Sequence, residues 1–214
     1  MPKRPFPSNY ASLLTIIGIG AGTAFALIAR AVARRKTAAV DHDVHGRVAI
    51  DPEHPVRRAA EAAAPIGKWW AYVPAAALTG GYVVASRRRA SSLIGSASIL
   101  GAAGIAYGLS KAFDDVLPQP PAPPGRDTRD HPVFPSGHAF GTTSVALAAA
   151  YVLWREELAP APFAFPAALA IPVASSVGRL VEEKHWISDI AGGFLAAIAV
   201  ASLTSAAYEA CSER

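Results

Sequence analysis

Six stretches of this chain carry no charge, and they leave little room for any other kind of fold. They run Ala11–Ala29, Trp69–Ser86, Ala90–Ser110, Ala139–Trp154, Leu158–Gly178 and Ile190–Tyr208. A helix needs about 20 apolar residues to cross the roughly 30 Å of a bilayer's hydrocarbon, and most of the stretches approach that length. Hydrocarbon offers the backbone no water, so a spanning segment must satisfy its own hydrogen bonds, as a helix does. The alternative is a soluble bundle with buried helices. It fits poorly, because the stretches lack the polar stripe at 3.6-residue period that marks a surface helix. Charged residues are only 17% of the chain, against about 25% in soluble domains. The expected fold is therefore all-α, a six-helix transmembrane bundle forming one domain over residues 1–214.

Lys3 and Arg4 precede the first stretch, and Ala31-Val32-Ala33 resembles a signal-peptidase site. Arg30 intrudes on that site, and removing the segment would leave an odd helix count, so retention as a transmembrane helix is expected. The single cysteine, Cys211, excludes an intramolecular disulfide framework and any multi-cysteine metal site. The formal net charge is +4, but the basic residues gather at helix ends (Arg34-Arg35-Lys36 and Arg87-Arg88-Arg89). That placement suits anionic headgroups better than nucleic acid.

An even number of crossings puts both termini on one side, with the short turns at Arg87–Arg89 and Arg155–Pro162. Three longer segments, about 34–67, 111–137 and 179–189, then share the other side. The first contains Asp41-His42-Asp43-x-His45, read as a solvated polar loop because a fourth placed metal ligand is lacking. A short interfacial helix is expected over 55–64. The second contains Pro118, Pro120, Pro121, Pro123 and Pro124, which favour extended structure. The positive-inside rule does not decide the orientation, since both sides carry basic residues.

The chemistry-bearing residues fall on the loop-rich side. Ser136, in the run HPVFPSGHAF at 131–140, reads as the N-cap of a helix, with Gly137 and His138 in its first turn. Such a turn presents backbone N–H groups to an anion. His185 and Asp189 are four apart, so on a helix they would share a face. A carboxylate at imidazole Nδ1 fixes the tautomer and leaves Nε2 free to attack. Lys111 and Arg179 would add positive charge. Two histidines, a carboxylate, two cations and a helix mouth suit phosphoryl transfer without a metal or other cofactor.

Pro135-Ser136-Gly137-His138, followed by Arg179-x5-His185-x3-Asp189, resembles the second and third signatures of the type 2 phosphatidic acid phosphatase superfamily. Gly178 stands where the third signature usually has serine. The resemblance implies a lipid phosphate or prenyl pyrophosphate phosphatase, with a membrane lipid phosphate as substrate and an extracytoplasmic site in the plasma or inner membrane. It implies that His185 is the nucleophile, Asp189 its orienting partner and His138 the general acid. Lys111, Ser136, Gly137 and Arg179 would hold the phosphoryl oxygens. The first signature, K-x6-R-P, is altered. Counting from Lys111 gives Pro118-Gln119, and a shift of one gives Gln119-Pro120, without an arginine. Arg126 and Arg129 are the candidates to replace it. Two alternatives stand beside hydrolysis: a catalytically weakened family member that binds or transports phospholipid or polyprenyl phosphate, and a phosphotransferase using the same intermediate.

Overall fold

A computed structural model of the chain describes residues 9–126 and 133–212. Each of the six apolar stretches becomes one long helix. They are α1 (Tyr10–Ala33), α4 (Trp69–Arg87), α5 (Ala90–Val116), α6 (Gly137–Arg155), α7 (Ala161–Val181) and α8 (Ile187–Ser212). Between α1 and α4 lie α2 (Ala38–Val48), α3 (Pro55–Ala63) and a 3-10 turn at Ala64–Gly67. Local chemistry sets several boundaries. Arg35 and Arg88 take left-handed φ values of 54° and 50° just past α1 and α4. The prolines from Pro118 onward follow the end of α5, and Pro160 precedes α7, where a missing N–H costs nothing.

Four of the long helices, α1, α5, α7 and α8, have the length and hydropathy to cross a membrane. α4 and α6, at 19 residues each, do not reach that hydropathy, so four of the six expected crossings are supported and the other two are not. Position explains α6. It touches α4, α5, α7 and α8, and it buries Gly141, Thr142, Thr143, Ser144 and Ala148. A helix enclosed by other helices gains from small residues that let backbones approach, rather than from lipid-facing bulk. α1 is the opposite case. It lies along α8 and turns Leu13, Ile16, Ile17, Ile19 and Leu27 outward, an apolar face that suits hydrocarbon.

Segments read from sequence as loops are more ordered than expected. The 34–67 stretch holds the expected short helix, α3, and a second, α2, where the sequence reads as loop. Asp41 is not solvated: it is buried and accepts from the backbone N–H (3.0 Å) and hydroxyl (2.9 Å) of Ser188. Nor do its histidine neighbours gather as metal ligands. His42 and His45 pack against the Trp186 ring, and His45 hydrogen-bonds Glu183 at 2.9 Å. α5 continues one and a half turns past its apolar run, so Lys111 lies on a helix rather than in a loop.

At the opposite end, Arg155 is not a surface charge of a turn. It is buried, with Nε and a terminal nitrogen 2.6 and 2.7 Å from the two carboxylate oxygens of Glu209. Tyr151 donates to Glu209 at 2.9 Å, while Tyr208 donates to Glu156 at 2.6 Å. These bonds fasten α6 to α8 far from the signature residues.

Candidate active site

The two signature segments meet where α6 and α8 begin. Ser136 caps α6, its hydroxyl accepting from the Ala139 N–H at 3.5 Å, and the helical ladder starts with Phe140 N–H to the Ser136 carbonyl at 2.9 Å. The Ser136 N–H donates to the Asp189 carbonyl at 3.0 Å, which ties one signature to the other through backbone. Close approach is possible because α8 carries Gly193 there. A Cβ on it would sit 2.8 Å from both the Ala139 Cβ and the Ser136 carbonyl oxygen.

His185 does not lie on a helix with Asp189. It sits in the turn before α8, and Asp189 is the third residue of that helix. The spacing still brings them together, because Asp189 Oδ2 accepts the Trp186 backbone N–H at 2.7 Å and so folds the turn over itself. His185 Nδ1 is then 3.4 Å from the same oxygen. Both side chains are buried. Burial, followed by the charges of Arg126, Arg179 and His138, holds the His185 imidazole well below the usual histidine range. It is therefore a neutral base at ordinary pH.

Arg179, in the last turn of α7, pairs with the buried Glu182 carboxylate at 2.6 Å. Its Nε is buried with no hydrogen-bond partner among the described residues. Burial also raises the Glu182 pKa, against the opposing pull of Arg179. Arg126 arrives from the proline-rich segment. It donates to the Lys184 carbonyl at 2.9 Å, while Lys184 Nζ returns a bond to the Gly125 carbonyl at 2.7 Å. The Trp186 indole closes the same clasp on the Pro121 carbonyl at 2.7 Å. The charge of Arg126 acts on both His185 and His138. Arg129 lies outside the described residues.

Gln119 does not face this cluster as a ligand. Its Oε1 accepts the N–H groups of Val133 and Phe134, both at 2.8 Å, and its Nε2 donates to the carbonyls of Phe134 (2.9 Å) and Leu117 (3.1 Å). Three of these bonds brace the stretch of chain that enters the second signature, and the fourth stays within the segment of Gln119 itself.

Lys111 lines a recess of about 160 Å³ with Lys68, Tyr72, Gly137 and His138. Lys68 was not singled out from sequence. It directly precedes one apolar run, as Lys111 directly follows another, and that flanking position was its signal. Tyr72 also borders an apolar groove of about 520 Å³ between α4, α6 and α7, which runs from Ile66 and Thr142 to Leu153 and Phe163. The polar recess and the groove thus share a wall, one helical turn from His138.

The profile of the PAP2 superfamily matches residues 92–213. No curated protein matches the chain in sequence. In three dimensions it is similar to the crystal structure of a transmembrane PAP2 type phosphatidylglycerolphosphate phosphatase from Bacillus subtilis. The TM-score is 0.74 and the identity 17%, over 88% of this chain and 94% of that one.

Proposed function

Because the chain belongs to the PAP2 superfamily, we propose that it is a membrane-bound phosphatase acting on a lipid phosphate or pyrophosphate monoester through a phosphohistidine at His185, without a metal. The observation that carries this reading is the meeting of the two signatures where α6 and α8 begin, with the Ser136 N–H bonded to the Asp189 carbonyl and Arg126 of the intervening segment bonded to the Lys184 carbonyl. The field of Arg179 and Arg126 falls on both His138 and His185.

The chemistry follows from the positions. His185 Nδ1 faces Asp189, so Nε2 is the attacking atom. As Nε2 bonds to phosphorus, the bond to the leaving oxygen breaks and that oxygen takes a proton from His138. Water then attacks phosphorus with His138 accepting its proton, and the phosphorus–nitrogen bond breaks. Three groups suit the equatorial phosphoryl oxygens. They are the open first turn of α6 at Gly137 and His138, capped by Ser136, the buried Nε of Arg179, which bonds no atom of the described residues, and the Lys111–Lys68 pair. Arg126 supplies the charge that Gln119 lacks, which favours catalysis over the reading as a weakened lipid-binding member.

The apolar groove beside the recess favours a lipid substrate, since one hydrocarbon chain can stay in it while the phosphate reaches the histidines. We place the protein in the plasma or inner membrane with the site on the extracytoplasmic face. The test is phosphate release in detergent from phosphatidic acid, phosphatidylglycerolphosphate, undecaprenyl pyrophosphate and a lipid A phosphate, with and without EDTA. Hydrolysis of at least one, resistant to EDTA, is expected. Release from none of them, or loss of activity in EDTA, would overturn the proposal.

A further inference from the structure

The 3-10 turn at Ala64–Gly67 belongs to no signature, yet it lies against the imidazole that the reading above makes the proton donor. His138 Nε2 is 3.0 Å from the Ala64 carbonyl oxygen. A carbonyl can only accept, so while this contact holds Nε2 must carry a hydrogen. The neutral ring is then the Nε2–H tautomer, and the proton that comes and goes is the one on Nδ1.

Gly67 supplies the second observation. A Cβ built on it would lie 2.0 Å from His138 Cδ2 and 2.6 Å from Cγ. No glycine in the described chain has positive φ, so the backbone conformation does not demand glycine at this position. What demands it is the close approach of the ring, with Ser175 Oγ a further 2.9 Å contact for the same Cβ. The carbonyl below and the glycine face beside it leave the imidazole one seat.

We propose that the Ala64–Gly67 turn is the positioning element of the proton donor, with the Ala64 carbonyl holding Nε2–H of His138, Gly67 giving the ring its seat, and Nδ1 transferring the proton. This rests on the phosphatase reading and deepens it. When the phosphorus–oxygen bond to the leaving group breaks, the Nδ1 proton passes to that oxygen and its electron pair stays on the ring. In the second half-reaction Nδ1 takes a proton from the attacking water, which restores the starting state. Burial and the charges of Arg179, Lys68 and Arg126 push the pKa of this imidazole down to about 4, and the Ala64 carbonyl offsets part of that, so the ring takes up its second proton when an anionic phosphate is bound beside it. Ala64 and Gly67 act here through the ring of His138, so they are positioning residues.

The test compares two leaving groups. An alkyl phosphate needs a proton on its departing oxygen, whereas p-nitrophenyl phosphate leaves as a stable phenolate. His138→Gln sets the reference and should lower kcat on the alkyl phosphate by about 10²-fold or more, with a much smaller loss on p-nitrophenyl phosphate. Gly67→Ala should reproduce that selectivity. Equal losses on both substrates, or no loss on either, would overturn the role of the turn while leaving His138 as the acid. A His138→Gln enzyme without selectivity would instead sink the acid assignment, and the proposal with it. A measurement on the unaltered protein guards against misfolding of the variant. Ring nitrogen NMR of histidine-labelled protein, with His138 assigned from the signal lost in His138→Gln, should show the Nε2–H tautomer in the neutral ring. An Nδ1–H tautomer would contradict the proposal whatever the variants do.

Discussion

Arg126 is the residue whose removal says most about the site. On the proposed reading it stands in for the arginine missing from the first signature, and after burial its charge acts on the His185 imidazole ahead of those of Arg179 and His138. Losing a charge-assisted contact to a transition-state phosphoryl group should lower kcat/KM by about 10²-fold in Arg126→Ala, with Arg126→Lys intermediate. Steady-state kinetics in detergent would show it, and an unchanged kcat/KM would remove Arg126 from the site. The same substitution has a pH signature. A base whose pKa is held down stays deprotonated to lower pH, so the acid limb of the kcat/KM profile should lie below the ordinary imidazole value of about 6.5. Removing the Arg126 charge lets the His185 pKa rise, and the acid limb should move upward with it. A limb that stays put would mean that Arg126 does not act on His185.

At the scale of elements, the proline-rich segment is a brace as well as a donor of Arg126. Gln119 holds the backbone of Val133 and Phe134 by both amide atoms. Gln119→Leu should cost about 1–3 kcal/mol by stranding those groups, seen as a lowered thermal midpoint together with lower turnover. Gln119→Arg, which restores the residue of the family signature, should lower activity too, because its guanidinium cannot accept the two N–H groups. A gain in kcat/KM would show that Gln119 faces the substrate. The partners of Gln119 could not be read from sequence, since they are main-chain groups some 14 residues away and nothing in the side-chain pattern records them. The pair of signatures was legible because its chemistry needs particular side chains at fixed spacing. The same limit hid Gly67 and Ala64, whose contribution is a carbonyl and a missing Cβ. The helix α2 was missed for another reason. Its polar residues look solvated until Asp41 is seen to accept two bonds from Ser188.

Across the whole molecule, the apolar runs set the helices, and burial sorts them. α1 reads as strongly apolar because it faces outward, while α6 falls short in hydropathy because other helices surround it. The end remote from the site is held by the Arg155–Glu209 pair, whose side chains are almost wholly buried. Removing one partner of such a pair leaves an uncompensated charge, so Glu209→Ala should destabilise the fold by about 3–5 kcal/mol. Its distance from both histidines predicts that the enzyme that does fold keeps its kcat/KM. Thermal unfolding and turnover measured on the same preparation would separate the two effects. A large fall in kcat/KM without loss of stability would mean that this cluster is coupled to the chemistry.

In the proposed mechanism phosphorus is bonded for a time to His185. Rapid quenching with a 32P-labelled lipid phosphate addresses it most directly. A phosphohistidine at this position gives a phosphoryl-enzyme that is stable to base and labile to acid, maps to the peptide containing His185, and is absent from His185→Ala, whose turnover should fall by at least about 10³-fold. Full turnover by His185→Ala, or a labelled peptide that lacks residue 185, would contradict it.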